Sequence, residues 1–79
     1  MMKEEEIKDQ LMSSNPEFRR LVEEHRHYEG RLETLKKLHH MTEQDHLDEV
    51  QLKKKKLQLK DQMNFIIAKY RDEMSHQHT

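Results

Sequence analysis

Thr42-Glu43-Gln44-Asp45 stands where two apolar patterns of different phase meet, and the fold turns on how these four residues are read. A threonine followed three positions later by an acid is the signature that opens a helix: each side chain can bond the other residue's free backbone N–H. Upstream, Phe18, Leu21, His25, Tyr28, Leu32, Leu35 and His39 recur in alternating steps of three and four, a heptad seam. Carried past His39, that register lands on Thr42, His46, Glu49, Lys53, Lys56 and Lys60, all polar. Downstream, Leu52, Lys56, Leu59, Met63, Ile66 and Tyr70 form a second seam, flanked by Ile67 and Met74. One continuous rod cannot hold both. The spacing predicts two helices, 16–40 and 43–74, joined by a tight bend near His40–Thr42 that contains neither Gly nor Pro.

The first helix has a clear start. Pro16 pushes Asn15 towards an extended conformation, which suits an N-cap, and fits the first helical position, where its missing N–H costs nothing. Before it, Ile7, Leu11 and Met12 mark a short helical segment over 3–13, too short to be stable alone. Residues 75–79 read as a frayed tail. Gly30 falls outside the seam and costs its helix about 1 kcal/mol relative to alanine.

A short connection makes the helices antiparallel neighbours. With the turn near residue 42, Phe18 falls near Ile66, Leu21 near Met63, His25 near Leu59 and Leu32 near Leu52. Tyr28 falls beside Lys56, whose methylene stem can lie on the ring while its ammonium reaches water. The expected fold is all-α: one domain over 1–79, an antiparallel two-helix hairpin with a short N-terminal helical segment. A second apolar group, Leu47, Val50, Leu57 and Phe65, lies on roughly the opposite side of the second helix at 100° per residue. One hairpin cannot cover both sides. Self-association is expected, as a dimer of hairpins forming a four-helix bundle.

Composition agrees with helices. The 79 residues are 32% hydrophobic and 39% charged, with one Gly, one Pro, no Cys and no Trp, which argues against disulfide scaffolds, cysteine-ligated zinc and turn-rich β-folds. Low hydropathy suggests disorder, but a net charge of only −1 and regular apolar spacing oppose it. Residues 1–50 carry 8 basic and 13 acidic side chains, and residues 51–79 carry 7 and 3. Opposite signs favour packing the halves together or pairing two chains head to tail. No apolar run approaches the roughly 20 residues that span a bilayer. The N-terminus lacks a signal-like apolar centre, so a cytoplasmic location is expected.

Leu52-Lys53-Lys54-Lys55-Lys56-Leu57-Gln58-Leu59-Lys60-Asp61, with Asn15-Pro16-Glu17-Phe18, Leu21 and Glu24-His25 upstream, resembles the YdcH-like family of small bacterial proteins. The resemblance covers most of residues 10–75. It implies a compact helical protein, a coiled-coil hairpin of uncharacterised function, and it supplies no activity. Gly30-Arg31-Leu32 departs from the pattern, where an acid and isoleucine without glycine are expected.

The chemistry-bearing residues give little. Lys53, Lys54, Lys55 and Lys56, with Lys60, invite an anion or nucleic-acid reading through phosphate neutralisation. Consecutive lysines point around the whole helix, however, and no aromatic stacking platform accompanies them. A solvated face pairing with the acidic first helix is the simpler account. Seven histidines invite a metal, yet no two are four apart as a helical ligand pair needs, and only His39, His40 and His46 gather near the bend with Glu43 and Asp45. No metal and no cofactor is expected. His25 and His39 read as polar seam residues that fix register. If no acid compensates, charging His25 near pH 5–6 loosens the packing, and Glu24 points away from it. Ser13, Ser14 and Ser75 occupy capping or tail positions, and two helices make no deep cleft, so no enzyme is expected. A membrane-surface helix over Met63–Met74 is better explained as the partner of Phe18 and Leu21. The expected role is a structural or adaptor-type interaction module that binds itself and an unidentified protein. The candidate interface is Leu47, Val50, Leu57 and Phe65; the alternative is weak anion or nucleic-acid binding at Lys53–Lys56 and Lys60.

Overall fold

A computed structural model describes the backbone of residues 3–76 and the side chains of residues 3–74. Among the described residues there are three helices and no strand: α1 (Glu4–Ser14), α2 (Pro16–Lys36) and α3 (Glu43–His76). The molecule is elongated, 57 × 20 × 17 Å. That length follows from α3, whose 34 residues run about 51 Å at 1.5 Å each.

Asn15 does two jobs. Its extended backbone (φ −122°, ψ 102°) ends α1 and begins α2. Its N–H donates to the Leu11 carbonyl at 2.8 Å, and its Oδ1 accepts from the Phe18 N–H at 3.0 Å, so one residue closes one helix and caps the next. Pro16 then occupies the first position of α2.

α2 ends at Lys36, four residues short of the expected His40. The N–H groups of Lys37 and Leu38 turn to the carbonyls three residues back, Thr34 and Leu35, at 3.2 Å. Among the described residues none has a positive φ, so the helix tightens and stops without a left-handed cap. Residues 37–42 form a six-residue connection rather than a tight bend. His39, placed in the seam by the heptad count, is exposed in this connection.

The second start matches expectation. The Asp45 N–H donates to Thr42 Oγ1 at 3.0 Å, and the Thr42 N–H donates to Asp45 Oδ2 at 2.9 Å.

α2 packs along α3. Glu17 and Leu21 share a groove with Asp61, Gln62, Phe65 and Ile66, while Arg31, Thr34 and Leu35 share another with Asp48 and Leu52. Leu21, Leu32, Leu52 and Leu59 are buried along the line between the helices. α1 is no appendage. It packs against both α2 and α3, with Ile7 2% and Leu11 3% exposed in a cluster with Phe18 and Ile67. Met12, Val22, Met63, Ile66 and Tyr70 surround that cluster. Phe18 therefore meets Ile67 as its buried partner, with Ile66 at the margin. α3 continues to His76, and the remainder of the expected tail, 77–79, lies outside the described residues.

Candidate interaction surface

α3 carries apolar residues on two sides, and packing uses only one. Leu52, Leu59 and Ile67 face inward and are buried. Leu47, Val50, Leu57 and Phe65 are 60%, 50%, 60% and 70% exposed. At 100° per residue this second set sits roughly opposite the first. Scattered exposed leucines need no explanation, but here four large apolar side chains share one exposed side of one helix. The stripe reaches towards α2 at both margins. Leu57 borders a groove with Leu32, and Phe65 borders another with Leu21.

The lysine run divides among three sides. Lys53, Lys56 and Lys60 line one groove of about 350 Å³, together with Lys36 of α2, over Leu32 and Leu57. Glu29 and Glu33 stand in the same groove. Lys55 lines the groove on the other side with Tyr28, Arg20 and Glu24, so it is Lys55 that shares the Tyr28 groove, whereas Lys56 lies half-buried in the groove with Leu32. Lys54 is exposed among the residues of the apolar stripe. Counting along one helix suggested dispersal, but i, i+3 and i+7 lysines with a fourth from α2 do converge.

The ion pairs found among the described residues lie within single helices. Lys53 reaches Glu49 at 3.6 Å, and Arg20 reaches Glu17 at 2.6 Å and Glu24 at 2.8 Å. The expected pairing of α3 lysines with acids of α2 is not among them. The hydrogen bond from Arg20 holds the Glu17 carboxyl below its ordinary range, against desolvation and with help from the guanidinium's charge.

His25 is a largely buried polar group of the seam, its side chain 16% exposed. Its Nδ1 lies 2.9 Å from Glu29 Oε1, one turn on, while its buried Nε2 has no partner among the described residues. Glu29 is the acid that the sequence left unnamed. An i, i+4 spacing on the same helix was the available signal. His25 therefore has an acid of its own helix beside Nδ1.

No group of three His, Asp or Glu residues comes together as a ligand set among the described residues. His39, His40 and His46, with Glu43 and Asp45, are not gathered by the connection. No helix of the described residues is long and apolar enough to cross a membrane.

A family model described as "Protein of unknown function (DUF465)" matches residues 18–67, from the first buried residue of α2 to the last buried residue of α3 among the described ones. The chain belongs to this family. Membership agrees with the YdcH-like resemblance carried by the lysine run and the Asn-Pro helix start. The matched span contains the exposed stripe and the lysine groove, and α1 lies outside it. No curated protein and no solved structure matches the chain.

Proposed function

We propose that the chain is a structural, adaptor-type interaction module of the cytoplasm: an antiparallel helical hairpin that self-associates through the outer side of α3. The observation that carries this reading is the exposure of Leu47, Val50, Leu57 and Phe65 on the side of α3 opposite its buried seam. Covering them removes apolar surface from water at about 25 cal/mol per Å² without altering the core. A dimer joined there lays the two α3 helices against each other, each backed by its own α2 and α1.

The test is light scattering during size-exclusion chromatography across a range of concentrations. The intact chain runs as a dimer or larger species, and Leu57→Glu or Phe65→Glu runs as a monomer with unchanged helical circular dichroism. A chain that stays monomeric at every concentration removes the reading. Both side chains are more than half exposed, so loss of the fold does not confuse the result.

A second reading has its own support. Lys36, Lys53, Lys56 and Lys60 line one groove over Leu32 and Leu57, and four cations around one groove attract an anion. Glu29 and Glu33 in that groove weaken its field, and a sequence pI of about 6.7 lies far below that of nucleic-acid modules. A low-salt duplex shift assay comparing the intact chain with Lys56→Glu/Lys60→Glu separates the readings: retention lost only in the variant favours the groove.

A further inference from the structure

We infer that the partner on the outer side of α3 is a second copy of this chain, docked antiparallel so that Lys54 of each copy faces Asp61 of the other. The inference rests on the reading above and adds orientation and register. Between Leu47 and Ala68 the outer side of α3 reads Leu47, Val50, Lys54, Leu57, Asp61, Phe65, Ala68, all exposed. Leu47, Lys54, Asp61 and Ala68 are spaced by sevens, and all seven residues fall within about 80° of arc at 100° per residue, so this is a second heptad-like seam about 32 Å long.

Its two charges have opposite signs and stand on either side of Leu57. Among the described residues neither has an ion partner of its own: the pairs within 4 Å involve Lys8, Arg20, His25 and Lys53 with Glu residues. Two copies laid parallel set Lys54 against Lys54 and Asp61 against Asp61, like charges in an apolar stripe. Turned antiparallel about an axis beside Leu57, the same surface is self-complementary, as a two-fold contact requires. Lys54 comes within a turn of Asp61 of the second copy. Val50 comes level with the large Phe65, Leu47 with the small Ala68, and the two Leu57 side chains meet at the axis. Beyond the stripe Glu43 and Asp72 come level, a like-charged pair that ends the contact there.

The chain has no cysteine, so single introduced cysteines report orientation cleanly. With a short bis-maleimide crosslinker on the full chain, an equimolar mixture of Val50→Cys and Phe65→Cys is expected to give a mixed dimer, and Phe65→Cys alone none. Antiparallel pairing holds the two Phe65 positions about 22 Å apart along the axis. Charge provides the second arm. Lys54→Asp and Asp61→Lys are each expected to weaken the dimer about tenfold in light scattering, and the double swap to restore it. Efficient Phe65→Cys self-linking, or a double swap no better than either single, overturns the antiparallel register while self-association stands. An intact chain that is monomeric throughout overturns both.

Discussion

Thr42 and Asp45 cap each other: each backbone N–H donates to the other's side-chain oxygen, at 2.9 and 3.0 Å. This reciprocal pair begins the longest helix of the molecule directly after a connection that contains no glycine or proline. Thr42→Ala should therefore lower stability by about 0.5–2 kcal/mol, the range for losing such a cap. Urea unfolding followed by circular dichroism checks it. Because the two bonds form one unit, Thr42→Ala/Asp45→Ala should cost less than the two single changes added together.

Ile7 and Leu11 make α1 part of the core. Each is almost wholly buried against Phe18 and Ile67. Ile7→Ala and Leu11→Ala should each destabilise the whole protein by about 2–5 kcal/mol, seen as a fall in the urea midpoint of a single transition. A change of under about 0.5 kcal/mol would mean that α1 does not hold the cluster.

Gly30 stands on the solvent side of α2, where an added Cβ meets nothing within 4 Å and no positive φ requires glycine. Gly30→Ala should raise stability by about 0.5–1 kcal/mol through helix propensity alone. A thermal melt that moves down or not at all would point to a role for this position outside the fold.

Glu17 titrates low because Arg20 donates to it. A lowered acid contributes stability above its ordinary range, and that contribution disappears as pH falls through the lowered value. Proton-resolved NMR titration should place Glu17 below a normal glutamate, and Arg20→Ala should return it to normal. The stability difference between the intact chain and Arg20→Ala should shrink on acidification, once Glu17 is protonated in both. Both side chains are more than half exposed, so the effect is small and weakens with salt.

Much of the local structure was legible because it depends on neighbours a few residues apart. Asn15 before Pro16 and Thr42 before Asp45 satisfy backbone donors within one turn, and any chain with those spacings can do so. The change of apolar phase near residue 40 and the outward set Leu47, Val50, Leu57 and Phe65 follow equally from the 3.6-residue repeat. Less legible was the end of α2. A helix that stops without a glycine cap fades through three-residue bonds, and nothing in Lys37-Leu38-His39-His40 announces where.

The sequence alone therefore determined an all-helical chain, the two helix starts and the side of α3 left without internal cover, since these are set by period and capping over short separations. Tertiary structure decided what distant residues do to one another. It turned the short α1 into a core element by laying Ile7 and Leu11 on Phe18 and Ile67. It brought Lys36 to Lys53, Lys56 and Lys60. It buried Nε2 of His25, which has no partner among the described residues. The reason is the same in each case: burial and field at a side chain are summed over whatever comes close in space, and residues far along the chain contribute most of that sum.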